Sequence, residues 1–150
     1  MSRGLVLLTV VAAAASAQAA LSACTSAVFD ANGNVVKTTW YACKPQYEAD
    51  VQKFNKNPNC SGLPSPSYDV ATCDPIIANY MACGLIAATL LKADNTFDDA
   101  AFKASALQNK CSADAKFIAA YPTCKNSTMK YFNYNRLFTC LMKAVYTDTG

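Results

Sequence analysis

The chain reads as an all-α, disulfide-stapled secreted domain. Three observations predict this. The eight cysteines form an even set suited to an oxidising compartment. An apolar segment with the layout of a secretory leader precedes them. Helical spacing of apolar residues recurs through the second half. The expected architecture is a compact bundle of about five to six helices, with a short N-terminal β-hairpin before it.

Residues 1–19 have the parts of a signal peptide: Arg3, an apolar run from Leu5 to Ala15, and the small-x-small site Ala17-Gln18-Ala19. The run is too short and alanine-rich for a bilayer of ~30 Å, and no later stretch reads as long enough to span one. Residues 20–150 then form a single domain. Cys24, Cys43, Cys60, Cys73, Cys83, Cys111, Cys124 and Cys140 all lie within it, and each bridge contributes ~2–4 kcal/mol, mainly by restricting the unfolded chain.

The elements follow in order. In Val28-Phe29-Asp30-Ala31-Asn32-Gly33-Asn34-Val35-Val36 an Asn-Gly step sits between β-branched residues, which predicts the hairpin. A helix is expected from Lys44-Pro45 through Tyr47, Val51 and Phe54, ended by Asn57-Pro58-Asn59. Ser61 to Ser67 is a Gly, Pro and Ser loop between Cys60 and Cys73. Asp74-Pro75 reads as an N-cap and first turn, opening a buried helix to about Lys92. Asp94-Asn95 breaks it, and Thr96 caps the next, with Asp98 and Asp99 in its first turn. Ser112 caps a short helix carrying Phe117, Ile118 and Tyr121, stopped by Pro122. The last helix is expected from Ser127 or Thr128, with the stripe Tyr134, Leu137, Phe138, Leu141 and Val145.

Much chemistry lacks its residues. The chain has no histidine, the commonest general base and metal ligand. No closely spaced Cys pair suggests zinc. Asp98 and Asp99 are adjacent, unlike the opposed carboxylates of a glycosidase. The net charge is +3, or +2 without Arg3, with the lysines scattered. Neither a nucleic-acid partner nor an anionic membrane surface is indicated. These features point away from catalysis, metals and cofactors and towards a binding module. Asn126-Ser127-Thr128 is a glycosylation sequon expected in a loop; Asn59-Cys60-Ser61 also fits but contains a cysteine expected to be bridged.

A ligand site, if built from the apolar helices, would be lined by Met81, Leu85, Phe102, Phe117, Tyr121, Phe132, Leu137 and Leu141. Met supplies an adaptable wall and Tyr a polar tip. The same residues at helical spacing equally make an ordinary core.

Residues 74–146 resemble an insect odorant-binding protein of the pheromone- and general-odorant-binding superfamily. The resemblance is carried by Tyr80-Met81-Ala82-Cys83-Gly84-Leu85, the acidic linker Lys92-Ala93-Asp94-Asn95-Thr96-Phe97-Asp98, Cys124, and Leu137-Phe138-Thr139-Cys140-Leu141. Asn79 and Tyr131 stand where the family has a mutually bonded cysteine pair, which is similar to its reduced-cysteine subclass. The resemblance implies a helical pocket for a small hydrophobic molecule, with solubilisation and transport as function. It also implies bridges from Cys124 to Cys140 and from Cys83 to an upstream cysteine. The alternative is a secreted interaction protein acting through its surface on a receptor or other extracellular protein, with the Asn32-Gly33 region and the 61–67 loop as its recognition elements.

Overall fold

The computed structural model describes residues 21–60 and 67–146; the expected signal peptide, nearly all of the expected 61–67 loop and residues 147–150 lie outside the described residues. The fold is all-α, as the sequence predicts. Its helices are α1 (Ala23–Cys43), α2 (Glu48–Lys56), α3 (Val70–Ala87), α4 (Asp99–Ala101), α5 (Ala115–Thr128) and α6 (Tyr134–Val145). A π-helical turn, Phe102–Ala106, continues α4, and a 3₁₀ turn, Met129–Tyr131, follows α5. Among the described residues the only β-type pairing is an isolated bridge between Leu91 and Phe97.

The expected hairpin is not formed. Residues 28–36 lie within α1, whose N-cap Ser22 accepts a hydrogen bond from the Thr25 amide. The Asn-Gly step has a local turn preference. The helical spacing of Cys24, Ala27, Val28, Ala31, Val35, Thr39 and Cys43 overrides it, because that face is buried against α3 and α6. Gly33 points into open space on the opposite face. It costs about 1 kcal/mol of helix propensity and no packing.

Helix boundaries shift for similar reasons. Residues 44–47 make turns, and α2 begins at Glu48. The cap of α3 is Asp69, which accepts from the Ala71 amide and the Thr72 hydroxyl. Asp74 is a buried member of α3, and Pro75 lies inside the helix. The helix stops at Ala87, short of Lys92. Thr89 takes a left-handed φ of 57°, and the Leu90 amide returns to the Leu85 carbonyl. Asp98 caps α4 and Asp114 caps α5, in place of Thr96 and Ser112. Pro122 does not end α5, which runs on to Thr128. A proline inside a helix costs ~3 kcal/mol, but Tyr121 and Cys124 beside it are buried, and Pro122 itself faces out. The last helix starts late, at Tyr134, because Phe132 adopts a left-handed φ of 56° and Asn133 caps the turn that follows. Its apolar stripe is buried as the spacing predicts.

By length and composition α3 is apolar enough to cross a membrane, which the sequence reading overlooked. Cys73, Ile77, Met81, Gly84 and Leu85 nevertheless bury one side of it. All eight cysteines are bridged: Cys24–Cys111, Cys43–Cys83, Cys60–Cys73 and Cys124–Cys140. The pairing of Cys124 with Cys140, and of Cys83 with an upstream cysteine, matches what the resemblance implies. Cys83 and Cys140 lie within helices, so their bridges pin α3 to α1 and α6 to α5. Thr25 adds a polar tie, donating from its hydroxyl to the Val145 carbonyl.

The core runs from α1 through α3 to α6 and closes over Phe102, which is fully buried. Phe102 meets Phe97, Tyr121 and Phe138 at ring-centroid distances of 5.4, 5.7 and 5.8 Å, within the range where aromatic pairs attract. Polar groups inside the fold are partnered: among the described residues no buried side-chain N or O lacks a hydrogen bond. Asp74 accepts from the Tyr68 hydroxyl, the Asn133 amide and the Arg136 guanidinium, tying α3 to the start of α6.

Burial raises the phenol pKa of Tyr68, Tyr80, Tyr121 and Tyr134, in Tyr134 to about 12. Hydrogen bonds to Asp74 and Asp99 raise Tyr68 and Tyr121 further. A phenol whose folded pKa exceeds the unfolded value of ~10 adds stability below that pH, lost as pH rises through the folded value. We therefore expect these four tyrosines to stay protonated past pH ~10 and the protein to lose stability above it. A phenolate absorbance titration run beside circular dichroism checks this. A phenolate signal that is complete near pH 10 with the fold intact would contradict it.

Candidate functional site

A half-open pocket of about 430 Å³ lies between residues 103–112 and α5. This is within the ~300–1,000 Å³ typical of small-molecule sites. Its shape begins with the chain after α4. Asp98 caps that helix through the Ala101 amide, and Phe102 anchors it in the core. The helix then widens into a π turn, closed by the Leu107 amide on the Phe102 carbonyl at 2.9 Å. Such turns are rare and concentrate at functional sites.

Gln108 and Asn109 follow with left-handed φ values of 52° and 55°. Two successive non-glycine residues in that region store ~1–3 kcal/mol each. The Asn109 amide reaches back to the Lys103 carbonyl at 2.8 Å, and turns closed at Lys110, Ser112 and Asp114 carry the chain to α5. The Cys24–Cys111 bridge fixes this segment to α1, and Asp114 anchors its far end by capping α5 through the Phe117 amide. The pocket wall is thus irregular backbone held at both ends.

Leu107, Cys111, Phe117 and Tyr121 are buried and form the apolar floor. Phe117 stacks on Tyr121 at 5.1 Å, so the floor continues the aromatic series from Phe97 and Phe102. Lys103, Asn109, Ser112, Ile118 and Pro122 form the rim. Pro122 has no N–H for the Ile118 carbonyl, which leaves an acceptor in the α5 wall.

Tyr121 is oriented from behind. Its hydroxyl donates to Asp99 at 2.6 Å, and Lys125 pairs with the other Asp99 oxygen at 3.0 Å. Partial burial pushes the Asp99 carboxyl up, but the Tyr121 hydrogen bond and the Lys125 ammonium outweigh it and hold the pKa below the usual range. The Lys103 ammonium sits 4.7 Å over the Tyr121 ring, a cation–π contact. No group of three or more His, Cys, Asp or Glu among the described residues is arranged to hold a metal.

Of the eight apolar candidates, Phe117 and Tyr121 line this pocket. Met81, Leu85, Phe102, Leu137 and Leu141 are buried in the packed core cluster, and Phe132 is half-buried against it. Lys103, Leu107, Asn109, Cys111, Ser112, Ile118 and Pro122 also line it, none of them among those eight candidates. Nothing in the residue pattern at 102–109 announces a π turn followed by two left-handed residues. Asn126 is exposed in the last turn of α5, so its sequon lies in a helix and not in a loop; Thr128 is buried and donates to the Cys124 carbonyl. Asn59 is exposed, but the neighbouring Cys60 is bridged to Cys73.

A smaller hollow of about 220 Å³ lies where Ala31, Val35 and Thr38 of α1 meet Leu90 and residues 105–108. It flanks the same irregular segment. No family model, curated protein or solved structure matches this chain.

Proposed function

We propose that this protein is a secreted carrier of a small hydrophobic ligand, held against Leu107, Phe117 and Tyr121. It acts without catalysis, metal or cofactor. The observation that carries the reading is the 430 Å³ pocket, whose floor is aromatic and whose wall is braced by the Cys24–Cys111 bridge. Four bridges suit an extracellular setting. They also allow a small bundle to keep a cavity open against collapse. Binding would draw on burial of apolar area at ~25 cal/mol per Å².

Native mass spectrometry of the protein secreted with its bridges intact, before and after organic extraction, tests the reading. An apolar adduct is expected and should be absent from Ile118→Trp, whose indole fills the mouth. Ile118 is 54% exposed, so the substitution should leave the fold intact. An adduct that survives in this variant would remove the pocket from the reading.

A second reading has its own observation. Phe29, Val36 and Trp40 are exposed along one face of α1, with Gly33 among them. An exposed apolar stripe of this kind marks protein interaction surfaces. A protein that carries no adduct and refuses apolar probes would move the function to that face, as a surface-acting extracellular protein.

A further inference from the structure

We infer that the pocket selects an amphipathic carboxylate, an apolar chain ending in one anionic head, and that Lys103 reads the head. The inference rests on the carrier reading of the same pocket.

The pocket is polarised from floor to rim. Leu107, Phe117 and Tyr121 offer only apolar surface inward, because the Tyr121 hydroxyl is committed to Asp99. The polar groups lie at the mouth: the Lys103 ammonium, the Asn109 side-chain amide and the Ser112 hydroxyl. Among the described residues Lys103 is the only charged one lining the pocket. It has no carboxylate within 4.0 Å among the described residues, whereas nearby Lys125 is paired with Asp99. The Lys103 ammonium lies 4.7 Å over the Tyr121 ring, where the rim meets the floor.

An ammonium carries three donors and no acceptor. A ligand head placed there must accept hydrogen bonds, and an anion accepts them most strongly. A cationic head would meet the like charge of Lys103, and the nearby Asp99 carboxylate is already taken by Tyr121 and Lys125. Asn109 and Ser112 can complete the shell of a carboxylate oxygen. The apolar chain then lies along Phe117 and Tyr121.

Three chain-matched probes separate the possibilities: decanoate, decanol and decyltrimethylammonium, each titrated by calorimetry below its micelle concentration. Decanoate should bind about tenfold tighter than decanol, the scale of a charge-assisted hydrogen bond at a half-open site. Decyltrimethylammonium should bind weakest. Lys103→Met keeps the aliphatic stem and should bring decanoate down to the level of decanol, with decanol itself weakened far less than decanoate. Lys103→Arg should retain the preference. Added salt should weaken decanoate alone. If decanoate and decanol bind the wild-type protein equally, or if the preference survives Lys103→Met, the inference is overturned and the carrier reading stands. If none of the three binds, the carrier reading falls and takes the inference with it.

Discussion

Arg136→Met should destabilise the protein by about 3–5 kcal/mol, the cost of leaving a buried carboxylate without its counter-charge. Asp74 is 1% exposed and Arg136 17%, so water cannot replace the lost guanidinium. The rest of the network increases the penalty. Tyr68 and Asn133 both donate to one Asp74 oxygen, and Arg136 donates to the other and to the Ser127 carbonyl. Asn133 also caps α6 through the Arg136 amide, so disturbing Asp74 disturbs the start of that helix. Asp74→Asn in the Arg136→Met background should recover much of the loss, because a neutral amide keeps the acceptor oxygen for Tyr68 and Asn133. Urea unfolding of the two variants checks this. A loss below about 1 kcal/mol for Arg136→Met would place the pair with exposed surface ion pairs and contradict its burial. A domain stable by ~5–15 kcal/mol can lose most of that margin through this one side chain.

Asp74 also shows where local reading of the sequence fails. Before a proline, an aspartate has the chemistry of an N-cap; here Asp69 takes that role and frees Asp74 for a tertiary ion pair. Only the position of Arg136, 62 residues away, reveals the difference. The stripe of α6 was legible because spacing alone defines it, and no turn residue competes within it. In α1 the same spacing was present, but Asn32-Gly33 offered a stronger local signal. Burial against α3 and α6 decided between them, and burial is a property of the assembled fold. The pocket was less legible still. Phe117 and Tyr121 could be named as apolar helix residues, but what separates pocket floor from core is the backbone opposite. That backbone turns on Gln108 and Asn109, two residues with no glycine to mark their left-handed φ. The lone tryptophan offers little help with the pocket. Trp40 lies near the far end of α1 from the Cys24–Cys111 bridge, about 24 Å along the helix at ~1.5 Å per residue.

Gly84→Ala should cost more than about 2 kcal/mol, although alanine is the better helix former. A Cβ added at Gly84 would lie 2.1 Å from Thr39 Oγ1, 2.7 Å from its Cγ2 and 2.9 Å from its Cβ. All three contacts are shorter than real Cβ atoms allow, and Thr39 has nowhere to move. It is fully buried, and its hydroxyl donates to the Val35 carbonyl at 2.7 Å. Nor can the helices part. Cys83 adjoins Gly84 and is bridged to Cys43, one turn beyond Thr39, so the bridge ties α1 to α3 beside this contact. The clash therefore has a named partner. Thr39→Ala removes the two nearest atoms, and the double variant should be more stable than the sum of the single losses predicts, by ~1–2 kcal/mol. Thermal unfolding of the four proteins in this cycle measures the coupling. Strict additivity would mean that Gly84 is needed for some reason other than the passage of α1 against α3.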